Sequence, residues 1–406
     1  MLENLKNRFG TVVHVNEHIS IIGGVEVYLS QIQELLRERG WHSIWIGIRR
    51  EGQVVSIESE DSDFQWVGRL CEFSSSYVGK MMQQGVIHVH SLSDPVLVRH
   101  LFSIAPVIRT MHEPRMFCPG HGKFSARSEK PCSAPFGLHC LAHAYTQKCC
   151  NRHPKRLLPA LANSIHERKS ANAGRYHRII ANSRWMRDEA VAAGFPEKLI
   201  EVLHYFTPER HVVHPGPVSE PRVVFVGRLS RTKGVHHLLE AFYQVNLSIP
   251  EARLDILGSG IDEAEFKQLA VKLGLGNSVF FHGWAARTQV DEFMSRASVV
   301  AFPSIYPEAF GISGIEAMMR GKPVVGYDVG GVSDWLEGGV TGSLVAGKDI
   351  ATFAGALVEL LSNPEKARNY GMNGRKAALE KFSPQAHLEK LLPIYEAALA
   401  SWDISS

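Results

Sequence analysis

Short apolar strands alternate with amphipathic helices along almost the whole chain, and this alternation limits the fold more than any other feature. Thr11–Val15 reads as a strand, followed by Gly23-Gly24 and a helix carrying Val25, Leu29, Ile32 and Leu36 at helical spacing. Ser43–Gly47, Val86–His90, Val107–Thr110 and Arg178–Ala181 continue the series. Pro208, Pro215, Pro217 and Pro221 then mark an interdomain linker. Beyond it the alternation restarts with Val223–Gly227, Leu254–Gly258, Val279–Phe281, Val299–Ala301 and Pro323–Gly326. Strand–helix alternation implies parallel sheets covered on both faces. The expectation is an α/β protein of two Rossmann-like, doubly wound domains facing across a cleft, and 406 residues are enough for two. The expected bounds are 1–205, a linker 206–221, a second domain 222–383, and a last helical stretch 384–406 packing back on both. Ligands of such sheets bind beyond the carboxyl ends of the strands.

Several classes are set aside by composition. No apolar run approaches the roughly 20 residues that span a bilayer. The N-terminus, Met1–Asn7, lacks the basic-then-apolar pattern of a signal peptide. A cytoplasmic protein with mostly reduced cysteines is expected. The net charge of +3 gives no reason to expect nucleic acid. Charge is uneven, however: Arg99 to Glu201 holds 17 Lys/Arg against 7 Asp/Glu. That is either a solvated basic surface or a face for an anionic membrane or substrate.

Glu308 and Glu316 stand out because only small and apolar residues separate them in Glu308-Ala309-Phe310-Gly311-Ile312-Ser313-Gly314-Ile315-Glu316. Ser313–Glu316 has the S-x-x-E form of a capping box, in which Glu316 would return to the Ser313 amide. That reading leaves Glu308 unexplained, and Gly311 and Gly314 read as keeping the approach to the helix start open. Free amides at a helix start favour an anion, which two carboxylates would repel. A ligand with both phosphate and sugar hydroxyls reconciles the two. Cations for a diphosphate occur in Gly227-Arg228-Leu229-Ser230-Arg231-Thr232-Lys233-Gly234, after the first strand of the second half.

With these residues the chain resembles the retaining glycosyltransferases of family four, which have the GT-B fold. Gly23-Gly24-Val25-Glu26, Gly227-Arg228 with Lys233-Gly234, Gly258-Ser259-Gly260, Phe281-His282-Gly283, the E-x7-E pair Glu308 and Glu316, and Gly330–Asp334 with Gly342 carry the resemblance by their order and spacing. It implies a nucleoside diphosphate sugar donor (UDP- or GDP-sugar), no required cofactor and no metal. Arg228 and Lys233 would then hold the diphosphate, Glu316 the ribose hydroxyls, and Glu308 hydroxyls of the transferred sugar beside the anomeric carbon. The amides of Phe310, Gly311 and Ile312 would contact sugar or phosphate, and Gly24 would let backbone approach the phosphates or acceptor. The mechanism implied is same-face attack assisted by the leaving phosphate, resting on positioning and electrostatics. The acceptor implied is a glycan or lipid-linked hydroxyl in cell-surface polysaccharide, lipopolysaccharide or glycolipid synthesis. A nucleotide-sugar epimerase of the same fold and a non-catalytic sugar-nucleotide-binding scaffold are the alternatives.

His112, in Thr110-Met111-His112-Glu113-Pro114, resembles the histidine of that family that contacts the donor sugar, and His90 is an acceptor-side candidate. His14 and His18 carry no special expectation. Asp61-Ser62-Asp63 has a metal-binding form but reads as part of an acidic loop, 58–63. Cys118, Cys132, Cys140, Cys149 and Cys150 crowd a stretch rich in Pro, Gly and Ser, 113–156. They lack C-x2-C spacing, and plain reduced thiols, a zinc site with His121 or His139, and redox sensitivity all stay open. That stretch is expected to shape acceptor binding. One departure from the family is His204-Tyr205-Phe206-Thr207-Pro208, where an Asn-Gly turn is usual.

Overall fold

The computed structural model describes residues 10–17, 23–49, 54–58, 65–69, 85–150, 153–209 and 221–402, with backbone only for 48–49, 54–58 and 65–69. Asp61-Ser62-Asp63, His18, Met1–Asn7, and the linker prolines Pro215 and Pro217 lie outside the described residues. The chain divides into two compact units. One is Met1–Lys123 with Ser133–His204 and His387–Ser406; the other is Phe124–Cys132 with Tyr205–Ala386.

The first unit is built on the strands β1 (Thr11–Asn16), β2 (His42–Arg49), β3 (Val54–Glu58), β4 (Gln65–Arg69), β5 (Val86–Val89) and β6 (Val107–Met111). The hairpin strands β7 (Phe124–Ser125) and β8 (Lys130–Pro131) follow in sequence and belong to the second unit. The first sheet is completed by β9 (Arg178–Ala181) and β10 (Ile200–Val202), in the order β10-β9-β6-β5-β1-β2-β3-β4. From β10 to β2 the pairing is parallel. Central β1 is apolar along Val12, Val13 and Val15, as expected of a strand covered on both faces. The expectation of a wholly parallel sheet fails at one edge, where β2, β3 and β4 form an antiparallel meander. Only four residues join β2 to β3, too few for a crossover to a parallel neighbour. The helix Pro384–Ser401 joins this unit from His387 onward, with Leu388, Leu391 and Ala398 buried.

The second unit holds β11 (Arg222–Val226), β12 (Arg253–Leu257), β13 (Val279–Gly283), β14 (Val299–Phe302), β15 (Val324–Tyr327) and β16 (Gly342–Val345). All pair in parallel in the order β13-β12-β11-β14-β15-β16. The chain winds one way from β11 to β13 and the other way from β14 to β16. The order therefore reverses between β11 and β14, where the loops leaving the two strands open a crevice. In the first unit the same reversal lies between β1 and β5.

Close packing at that edge demands glycine. Gly258, at the end of β12, has φ +134, and a Cβ there would lie 1.9 Å from the Gly227 carbonyl oxygen. Gly258→Ala is expected to cost about 2 kcal/mol, the scale of a strained non-glycine backbone. It should appear as a lower urea midpoint with unchanged far-ultraviolet circular dichroism, and an unchanged midpoint would contradict the close approach.

Candidate active site

In the second unit the loop after β11 and the loop after β14 meet at the switch point. Lys233 Nζ donates to Glu308 Oε1 at 2.6 Å, and Ser304 Oγ donates to the same oxygen at 2.6 Å. Glu308 is buried, so its carboxylate is held in one orientation. Oε2 has no protein partner among the described residues. Lys233 is one-third exposed, so screening limits what this pair adds to stability; its main effect is to orient the carboxylate. Arg231 is engaged elsewhere, with the carboxylates of Glu129 and Glu265 and, through its amide, Asp262. Arg228 is exposed and forms no ion pair among the described residues. The hairpin Phe124–Cys132 thus contributes to this unit: Glu129 meets Arg231, and Lys348 Nζ donates to its carbonyl at 2.7 Å.

Glu316 lies inside the helix Ile312–Met319, past its first turn. The helix begins at Gly311, whose left-handed φ of 102 caps it without a side chain, so the Ser313–Glu316 capping box does not form. Glu316 Oε1 instead accepts from Arg287 Nη1 at 2.6 Å. Three cations (Arg228, Lys233, Arg287) stand against two carboxylates, so these loops favour an anion that also carries hydroxyls. The amides of Ile312 and Ser313 have no partner within the helix, by its geometry. Gly314 does not keep this helix start open: a Cβ there would lie 2.1 Å from Trp335 Cη2. Trp335 Nε1 donates to the Phe310 carbonyl at 2.7 Å, and Phe310 packs on Tyr205 and Phe382. These contacts fix the turn that presents the amides.

In the first unit, Glu26 accepts from the Gly23 amide at 2.9 Å and from Asn16 Nδ2 at 3.2 Å. This ties the helix start, where Gly24 is exposed, to the end of β1. Nearby runs a chain of buried histidines. His14 Nδ1 lies 3.0 Å from His90 Nε2, and His90 Nδ1 lies 2.8 Å from His112 Nε2. His14 Nε2 is buried with no partner. An orphaned N–H costs more than an orphaned lone pair, which sets the tautomers by inference. His14 donates from Nδ1 to His90, and His90 donates from Nδ1 to His112 Nε2. The His112 proton is then on Nδ1. His14, His88 and His90 also offer nitrogens within 4.8 Å of one another, the spacing of a candidate metal group. Yet His88 already bonds Tyr395 and Thr110, each at 2.7 Å, so the group reads as a hydrogen-bonded core. Below it Arg109 donates to the carbonyls of His90 and Leu92 and pairs with buried Glu167 at 3.5 Å.

Of the residues expected from sequence, Lys233 with Glu308 and His90 with His112 are brought together. Arg228 lies in the loop after β11 and Glu316 in the helix Ile312–Met319, and among the described residues Glu316 contacts neither Arg228 nor Lys233. Sequence reasoning missed Arg287, Glu129 and His14. Arg287 follows the strand-end Phe281-His282-Gly283 by only a few residues, which was the available signal for it.

Burial lowers His14 and His112 to about 3 and His387 to about 4, against the usual 6.5, and lowers His88 and His90 well below it. The unfolded chain therefore binds protons first as pH falls below 6.5. These groups stabilise the first unit above that value, and the stability is lost as pH drops toward their folded values. The urea midpoint of this unit is expected to fall between about pH 7.5 and about pH 5, steeply enough to report uptake of more than one proton. A flat midpoint over that window would contradict the neutral histidine core.

Residues 207–377 match the family model for glycosyl transferases group 1. The alpha-maltose-1-phosphate synthase of Mycolicibacterium smegmatis is 30% identical over 249 residues, 52% of this chain and 63% of that protein. The D-inositol 3-phosphate glycosyltransferase of Nocardia farcinica is 35% identical over 188 residues, 45% of this chain and 41% of that protein. The chain thus spans less than two thirds of the length of these curated relatives. Among solved structures, HepE of Anabaena in complex with UDP superposes with a TM-score of 0.67 at 18% identity, covering 95% of this chain and all of that one. Sucrose-phosphate synthase from Thermosynechococcus elongatus gives 0.70 at 22% identity, covering 97% of this chain and all of that one. The fold is that of the GT-B class, and the chain carries a group 1 glycosyl transferase domain.

Proposed function

We propose that the protein is a retaining glycosyltransferase of family four that moves a sugar from a nucleoside diphosphate sugar to a hydroxyl acceptor. The observation that carries this reading is the buried Glu308 carboxylate, oriented by Lys233 and Ser304 just before the helix start at Gly311. Arg228 and Lys233 bind the diphosphate and stabilise it as it leaves, a charge that fixed cations meet better than water does. Glu308 accepts from hydroxyls of the transferred sugar through Oε2 and stabilises positive charge developing at the anomeric carbon. Glu316 accepts from ribose hydroxyls, with Arg287 orienting it. The relatives' names support a sugar donor, and UDP in the HepE complex favours UDP as the base to test first. His112, fixed by His90, is the contact proposed for the donor sugar.

The acceptor is proposed to be a lipid-linked or anionic glycan at a membrane surface. Among the described residues no helix is long and apolar enough to cross a membrane. The basic stretch between Arg99 and Glu201 exposes Leu138, Leu141, Tyr145, Leu158 and Ile165 among its cations, a composition suited to an anionic interface.

The test is nucleoside diphosphate release from a panel of UDP-, GDP- and ADP-sugars, with and without membrane acceptors. One donor should be turned over. Glu308→Gln should lower kcat by about 100-fold, the scale of losing one transition-state electrostatic contact. Arg287→Ala should instead raise KM for the donor with a smaller change in kcat. Nucleotide binding without release from any donor would favour a binding scaffold, and release-independent conversion of the donor would favour an epimerase.

A further inference from the structure

Four thiols of the first unit that play no part in the proposed transfer converge from separate segments. Cys118 opens the turn Cys118-Pro119-Gly120-His121-Gly122-Lys123, Cys140 lies in the helix His139–Thr146, and Cys149 and Cys150 follow that helix. Cys150 lies against Cys149, with Cys118 and Cys140 near enough to act on its thiol, which burial pushes up. The backbone contact is close as well. A Cβ on Gly120 would lie 2.2 Å from the Cys149 carbonyl oxygen and 3.4 Å from Cys150 Cβ. None of the four is in a disulfide.

Burial pushes the Cys118 thiol up, and backbone N–H groups of its own turn oppose that shift without overcoming it. Its sulfur accepts backbone hydrogen bonds from Gly120, Gly122 and Lys123. To make this turn, His121 and Lys123 take left-handed conformations, φ 59 and 49, that non-glycine residues seldom adopt. Backbone N–H donors around one sulfur can support the negative charge it takes on when a cation displaces its proton. A lone buried thiolate would be costly; one shared with a cation is not.

The segment also needs a fastening that burial does not provide. The helix His139–Thr146 buries only Ala144, while Leu141 and Tyr145 are about half exposed and Leu138, just before it, is almost fully exposed. A helix of this length with so small an apolar face is not held by packing. Segments too poor in core to hold themselves are stapled by disulfides or metal.

We propose that Cys118, Cys140 and Cys150 are thiolate ligands of a structural zinc ion, with the fourth tetrahedral position filled by Cys149 or by His121 of the Cys118 turn. Tetrahedral Cys-rich sets of this kind close around zinc and fold their loops in doing so. The sulfurs are spread more widely than the 4.8 Å spacing met by the buried histidines, so binding draws the turn and the helix together. Cys132 belongs to the second unit and is outside the set.

The full chain, purified under reducing conditions from zinc-replete cells, should contain about one zinc per molecule, with sulfur neighbours at about 2.3 Å by X-ray absorption. Cys118→Ser and Cys140→Ser should each lose the metal, and Cys132→Ser should keep it. Where the first two variants do not fold, chelator-treated wild-type protein titrated with cobalt(II) decides the matter. It should develop the intense sulfur-to-cobalt charge-transfer band of a tetrahedral thiolate site, and the segment 118–150 should become resistant to proteolysis. Metal-free protein with no cobalt band, zinc retained by both serine variants, or a mass showing a disulfide among these thiols in the reduced preparation would each overturn the proposal. Every readout is metal content or structure, so the outcome is independent of the transferase reading.

Discussion

A parallel ladder releases its strands at one common edge, and in both units this places the chemistry-bearing loops together. The ladder has little tolerance for unpartnered polar groups along its length, because both faces are covered. Val12, Val223, Val224 and Val324 are each fully buried. What the sheet excludes from its length it collects at its carboxyl edge, and it collects most where the strand order reverses. Between β11 and β14 the reversal brings Lys233 and Glu308, 75 residues apart in sequence, within 2.6 Å. Glycines such as Gly258 permit backbones to approach there more closely than any side chain would allow.

The loops of the second unit compensate charge locally. Glu308 has Lys233, Glu316 has Arg287, and Arg231 has Glu129 and Glu265. Carboxylates in a helix-start environment would otherwise repel a diphosphate. Glu308 and Glu316, each with its own cation, keep their acceptor capacity, and together with Arg228 these five groups carry a net positive charge. Donor oxygens and donor hydroxyls can then be met by different groups within a few residues.

The first unit solves a different problem. Histidines replace aliphatic residues on β1 and β5, at positions paired across the sheet. Burial keeps them neutral, and neutral imidazoles satisfy each other because each is both donor and acceptor. The chain from His14 through His90 to His112 thus trades apolar packing for orientation of the one ring nearest the strand-end loop. Tyr395 and His387, from the C-terminal helix, close the same network at His88 and Tyr28.

The sequence by itself determined the two Rossmann-like units, because strand and helix periodicities are local and survive without tertiary context. It also marked Glu308, Glu316, Arg228 and Lys233, since acids and cations among glycines are conspicuous at strand ends. It did not show the antiparallel edge β3–β4, which depends on a short connection rather than on residue type. Nor did it distinguish the capping-box reading of Glu316 from a pairing with Arg287, or Gly314 as an open approach from Gly314 as a seat for Trp335. Those choices turn on which side chain arrives from elsewhere in the unit, Arg287 from a helix and Trp335 from a short turn. The role of His14 was hidden for the same reason: one histidine in an apolar strand has no partner in its own segment. Only the register of β1 against β5 gave it one, because hydrogen bonds between side chains are decided by distance in space and sequence spacing does not encode that distance.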